Sequence, residues 1–159
     1  EIDCLFPDLR NAIEIPDTLP ELAGSHQVGL LCDLIHGETA EVVGTYATDF
    51  YAGRPALTRN KFGHGWAWYL ASDPRQEFVN RLVRYICNEK GIAPILETPA
   101  GIEVTQREKN GQTFTFVLNH NGDELEVDLG AEVYFDLLTG KELSGKIALP
   151  GRDLLILKS

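Results

Sequence analysis

The hydrophobic pattern changes period once along the chain. From Gln27 to His36, Val28, Leu30, Cys32 and Leu34 form one alternate set, and Gly29, Leu31, Asp33 and Ile35 form the other. Both sets are largely apolar, which predicts a strand covered on both faces. Gly37-Glu38-Thr39 predicts a turn, with Ala40 to Tyr46 returning as the second arm of a hairpin. After the polar loop Ala47-Thr48-Asp49, Pro55 introduces a strand from Ala56 to Asn60. Gly63-His64-Gly65 predicts a tight turn in which the two glycines hold positive φ or an unusually tight turn geometry. In the next strand Trp66, Trp68 and Leu70 share one face, and Ala67 and Tyr69 the other. Asp73 and Pro74 then suit an N-cap and a first helical position, with Gln76 completing a capping box. Phe78, Leu82, Tyr85 and Ile86 recur at helical spacing beside Val79 and Val83, predicting a helix from Pro74 to Lys90 that stops at Gly91. Before all this, Pro7, Pro16 and Pro20 break the opening stretch, where Ile13 and Ile15 suit one short edge strand.

Pro94 and Pro99 stiffen Ile92 to Ala100 as a boundary. Beyond it the period is two. Ile102 and Val104 begin a strand, Asn110-Gly111 marks a hairpin, and Phe114, Phe116 and Leu118 read as the buried face of the returning strand. Asn121-Gly122 marks another turn. Leu125, Val127 and Leu129 alternate with Glu124, Glu126 and Asp128, a half-buried strand with an acidic outer face. Val133, Phe135 and Leu137 continue the apolar set, leaving Tyr134 on the other side. Thr139-Gly140, Ile147 with Leu149, Pro150-Gly151 and Leu154 to Leu157 complete a run of short strands that predicts a small antiparallel β-sandwich.

A chain of 159 residues makes one domain or two small ones, and its 43% apolar and 24% charged residues are those of a globular protein. The net charge of −10 argues against nucleic acid and anionic membranes as partners. No apolar run approaches the roughly 20 residues of a bilayer span. The first residues have no basic start and no apolar core, so no signal peptide is read there. Cys4, Cys32 and Cys87 are far apart and form no ligand spacing; Cys32, in an apolar strand pattern, and Cys87, in an apolar helix pattern, read as buried thiols, which favours a reducing, cytoplasmic setting.

Asp49-Phe50-Tyr51-Ala52-Gly53-Arg54-Pro55-Ala56-Leu57-Thr58-Arg59-Asn60-Lys61-Phe62-Gly63-His64-Gly65-Trp66-Ala67-Trp68-Tyr69-Leu70 resembles the signature near the end of the trimerisation domain of family 42 β-galactosidases. The upstream LLCDLIHGETAEVVGTY and the downstream LNHNGDELEVDL and YFDLLTGKEL resemble the same family, in the same order. The resemblance implies an α+β chain. Residues 1–93 are the C-terminal part of a Rossmann-like, amidotransferase-like trimerisation domain, 94–100 a linker, and 101–159 a C-terminal β-sandwich. It further implies a parent enzyme that hydrolyses terminal β-galactosides with retention, on a barrel that is not in this sequence. The implied partners are the rest of that parent chain and further copies, typically in a trimer.

Candidate chemistry is sparse. Glycoside hydrolysis needs two carboxylates roughly 5–9.5 Å apart. No Asp or Glu stands in a catalytic context, so no catalytic residue is assigned. Asp49, Tyr51 and Arg54 flank a glycine-containing loop and suit either a polar ligand or hydrogen bonds within the loop itself. His26, His36, His64 and His120 are scattered, and no metal or cofactor residue is assigned. Trp66, Trp68 and Tyr69 suit a packed core or, in the rival reading, the platform of a carbohydrate-binding module. The apolar strand pattern of the first half predicts self-association, or a need for the missing chain, through that half and not through the acidic-faced β-domain.

Overall fold

A computed structural model describes residues 2–5 and 9–159, so Pro7 lies outside the described residues. The chain divides into two compact units, Glu1–Ile92 and Ala93–Ser159.

Unit one contains β1 (Ile2–Cys4), β2 (Ala12–Ile15), β3 (Gly24–Asp33), β4 (Glu41–Tyr46), β5 (Pro55–Phe62), β6 (Gly65–Leu70), β7 (Ser72–Pro74) and α1 (Gln76–Glu89). The sheet order is β1-β3-β2-β4-β5-β6, and β7 pairs with β3. Only Ala71 separates β6 from β7, so the sheet curls round until the chain leaving β6 meets β3 and closes the ring. The closure is hydrogen-bonded at Ala71: its N–H donates to the Ala56 carbonyl at 2.9 Å, and its carbonyl accepts the Asp33 N–H at 2.7 Å. Inside lie Ile13, Ile15, Val28, Cys32, Tyr46, Tyr51 and Leu57, with Phe78 and Leu82 of α1 packed on them.

Several expectations change here. β3 and β4 do not form a hairpin: β4 pairs with β2 and β5, and the 34–40 segment is a crossing connection. Ile13 and Ile15 sit on a central strand, fully shielded, because β2 lies between β3 and β4. β3 is not covered on both faces. Its ladder to β7 pairs Val28 with Pro74 and Cys32 with Ser72, so Gly29, Leu30 and Leu31 bulge opposite Asp73 alone. The Asp73 carboxylate accepts the N–H groups of Leu30 at 3.2 Å and Leu31 at 2.9 Å. A Cβ on Gly29 would lie 2.5 Å from that carboxylate, so only glycine fits. The bulge turns Leu30 and Leu31 outward, leaving them 57% and 46% exposed. Asp73 is therefore committed to strand pairing and does not cap α1. The N-cap is Arg75, with no side-chain hydrogen bond, and the Gln76 amide reaches Asn80 instead. The helix stop is as read: Gly91 has φ 65°, its N–H reaches Asn88 O, and the Ile92 N–H reaches Cys87 O. Gly63 has φ 57°, but Gly65 is not in the positive-φ region. Positive φ at the first central residue alone is the pattern of a II′ hairpin.

Unit two contains β8 (Ile102–Lys109), β9 (Gln112–Asn119), β10 (Leu125–Asp128), β11 (Tyr134–Asp136), β12 (Glu142–Leu143), β13 (Lys146–Leu149) and β14 (Leu154–Lys158). A five-stranded sheet, β12-β11-β14-β9-β8, and a two-stranded sheet, β10-β13, share a core of Val117, Val127, Leu129, Tyr134, Leu149 and Leu157. The Asn110-Gly111 hairpin forms with both residues at positive φ, 55° and 73°. The buried face of the large sheet is the reverse of the one expected. Val117, Thr115 and Asn119 face the core, whereas Phe114, Phe116 and Leu118 lie on the other side, half-buried. Likewise Tyr134 is 7% exposed and Phe135 43%. All recorded strand pairings in both units are antiparallel. The chain is mostly β with one helix, and no parallel, Rossmann-like ladder occurs among the described residues.

Two outcomes are expected. Residues 91–95 are exposed, whereas Leu96 packs on the core of unit two. Limited proteolysis followed by mass spectrometry is therefore expected to cut first at 91–95, and first cleavage inside β6 would contradict the fold. The Tyr46 hydroxyl donates at the ring closure, to the carbonyls of Ala71 and Asp33. Tyr46→Phe removes that donor and keeps the ring, so urea unfolding should show a loss of about 1–3 kcal/mol.

Candidate functional site

The motif loop between β4 and β5 is built from inside. Asn11, 3% exposed, accepts the Ala12 N–H at 2.8 Å and the Thr48 N–H at 3.0 Å, and donates to the Thr48 carbonyl at 3.1 Å. Asp49 adopts φ 72° and accepts the Phe50 N–H at 2.7 Å through its own carboxylate. Gly53 N–H returns to the Tyr46 carbonyl, which clips the loop shut. Tyr51 points inward, edge-on to Tyr46 with ring centroids 5.0 Å apart. Burial pushes both phenols well above their ordinary range and raises the Cys32 thiol beside them. The Tyr51 hydroxyl lies in the core beside Asn11 and the Cys32 thiol. Asp49 and Tyr51 are thus committed to the loop and core, and Arg54, exposed on the surface, does not join them in one site.

The tryptophans stand on a cross-strand row. Arg59 pairs with Glu41 on one side and with Trp68 on the other. Its guanidinium holds the Glu41 carboxylate through two hydrogen bonds, 2.8 and 2.9 Å, and lies 4.8 Å from the Trp66 ring centre and 5.6 Å from that of Trp68. The hydrogen bond from Arg59 holds the Glu41 carboxyl below its usual value. Trp68 also meets Tyr85 of α1 edge-on at 5.9 Å. Both indoles are therefore half-buried beneath a cation rather than presented as an open platform. Tyr69 is exposed and donates to Asp33 at 2.6 Å. An open cleft of about 370 Å³ at the start of α1 is lined by His26, Arg75, Glu77, Phe78 and Arg81. Two of its polar groups have backbone partners: His26 Nε2 meets the Leu22 carbonyl at 2.7 Å, and Arg81 donates to that of Glu21. Among the described residues no group of three His, Cys, Asp or Glu side chains could hold a metal. His120 contacts Glu103 at 2.9 Å, on the surface.

The sequence reading missed two polar pins in unit two. Asn119, 3% exposed, donates to the carbonyls of Asp123, Leu149 and Pro150 at 2.9–3.1 Å, and accepts the Asn121 N–H at 2.9 Å. Asp136, with no exposed surface, accepts the N–H groups of Leu138 and Thr139 at 3.2 Å and the Thr139 hydroxyl at 2.5 Å. The available signal was an Asn or Asp directly before a turn, the type that bonds its own backbone ahead.

Burial pushes the Asp136 carboxyl up, but the Thr139 hydroxyl and the N–H groups of Leu138, Thr139 and Ile156 outweigh it and hold the carboxyl below its ordinary value. A depressed folded-state pKa contributes stability that is complete above the unfolded value, about 3.9. That contribution fades as pH falls from there toward the folded pKa. Asp136→Asn should lower stability by about 1–3 kcal/mol at pH 7, and should flatten the loss of stability below about pH 4. Thermal unfolding of unit two between pH 2 and 7 reads both.

Residues 1–93 match the β-galactosidase trimerisation domain, and residues 101–159 the β-galactosidase C-terminal domain. The β-galactosidase BgaA of Planococcus sp. (strain 'SOS Orange') is 47% identical over 99% of this chain, which spans 23% of that relative's length. The crystal structure of a β-galactosidase from Bacillus circulans sp. alkalophilus superposes with a TM-score of 0.89 at 47% identity, over 99% of this chain and 23% of the other. A β-galactosidase from Rahnella sp. R3 gives 0.84 at 32% identity, over 100% of this chain and 23% of the other. No described helix is long and apolar enough to cross a membrane. The chain belongs to the family 42 β-galactosidases, of which it carries trimerisation-domain and C-terminal-domain sequence.

Proposed function

We propose that this chain is the non-catalytic C-terminal portion of a retaining β-galactosidase, which removes terminal non-reducing β-D-galactose, and that it serves oligomerisation and structural support. The observation that carries this is the succession of two family domains over 1–93 and 101–159, in a chain that spans 23% of the relatives' length. We assign residues 1–93 to the C-terminal part of the trimerisation domain, 94–100 to a linker and 101–159 to a β-sandwich. In the parent, the first part adds its own antiparallel ring to a larger α/β, Rossmann-like domain. The parent is a cytoplasmic trimer, consistent with three unpaired thiols and an acidic surface. The clipping of Asp49 and Tyr51 into a loop, and the covering of Trp66 and Trp68 by Arg59, suit support rather than glycan capture.

The purified chain is expected to show no turnover of a chromogenic β-galactoside. Turnover that disappears on mutating one of its own glutamates would overturn the proposal. Added to the separately expressed upstream part of the Planococcus relative, the chain should bind it and raise its assembly state in light scattering.

A further inference from the structure

The five-stranded sheet of unit two carries apolar side chains on both sides, on its open side as well as on its core side. The strand register sets out the open side in three rows. The first runs Glu142, Phe135, Lys158, Phe114 and Arg107. The second runs Ile156, Phe116 and Thr105, with Leu137 beside Ile156 through its N–H to that carbonyl. The third runs Leu154, Leu118 and Glu103. Three phenylalanines and four aliphatic residues thus form one continuous surface. Phe135, Leu137 and Leu154 are 38–44% exposed. The core side of the same strands carries Val104, Val117, Leu155 and Leu157, together with Thr115, Asn119 and Asp136, which need hydrogen bonds to be buried there. A sheet that is apolar on both faces is a middle layer, covered on both sides.

We infer that the Phe114, Phe116, Phe135, Leu154 face is an intramolecular docking surface, covered in the parent enzyme by an apolar face of the chain upstream of residue 1. The inference rests on the proposed function. Two lines choose this occupant over a second copy. Residues 101–159 match a C-terminal domain and the chain spans 23% of its relatives, so about three quarters of the parent is available upstream. Copy-to-copy contact is assigned by family match to residues 1–93.

The test uses the whole chain, with the separately expressed upstream part of the Planococcus β-galactosidase as probe. Carbene footprinting is expected to label Phe114, Phe116 and Phe135 in the chain alone, independently of its concentration. Labelling should fall at least fivefold on adding the probe. The double variant Phe116→Glu/Phe135→Glu should bind the probe at least tenfold more weakly, with Glu126→Lys on the small sheet as a control that binds normally. Binding of the probe with these phenylalanines still labelled, or with equal affinity for the double variant, overturns the docking surface and leaves the proposed function standing. Labelling that falls with chain concentration alone makes the occupant a second copy and also overturns it. No binding of the wild-type chain overturns both. The wild-type footprint decides the matter even if the double variant does not fold.

Discussion

The closure of the first sheet at Ala71 is the constraint on which unit one depends. Ala71 is hydrogen-bonded through N–H to β5 and through C=O to β3, so one residue joins the two ends of the ring. The Tyr46 hydroxyl lies against the same carbonyl and that of Asp33. A tyrosine there sets its ring in the core and its only polar atom at the seam, where an unpaired hydroxyl would cost about 1–3 kcal/mol. Closure also removes strand edges that an open sheet would offer to other chains. The bulge at Gly29 to Leu31 follows from it: β7 is three residues long, and Asp73 bonds the two amides that β7 cannot reach.

Local signals in the sequence were legible because they act over a few residues. The Asn110-Gly111 hairpin, the Gly91 helix stop and the tight turn at Gly63 all stand where read, each fixed by the backbone angles its own residues allow. Partner choice was not legible. Consecutive strands usually pair, which made β3 and β4 a hairpin. Here β2, whose four residues looked peripheral, lies between them. Asp73 shows the same limit in one side chain. An aspartate before proline and a helix reads as a cap. The strand bulge, more than forty residues away by the 42- and 43-residue separations of its two bonds, claims it instead.

The site reading divides in the same way. Asp49 and Tyr51 belong to one loop, as the spacing implied, but nothing local told which way Tyr51 points. The Tyr46 pairing and the Asn11 clip decide that from other strands. The Arg59 stack on Trp66 and Trp68 was hidden for a similar reason: it needs the register of three strands, Glu41 to Arg59 to Trp68.

Alternation gives two sets of residues and not which set is inside. In unit two the apolar set was taken as the core set, and the structure reverses it on β9 and β11. The reversal has a physical reading. A small sheet has two sides, and hydrophobic gain favours covering the side that buries more apolar area, at about 25 cal/mol per Å². The side facing β10 and β13 joins Val117, Leu157 and Tyr134 to the core of the small sheet, and Asn119 and Asp136 stand there too, to tie the turns at 121–123 and 137–139. Those turns hold the strand ends in register, so the polar pins cannot move to the other face without releasing them. The phenylalanines consequently gather on the opposite side, where no turn needs a polar anchor. A sheet apolar on both faces takes a cover on each, and the cover inferred for the phenylalanine face is the upstream chain.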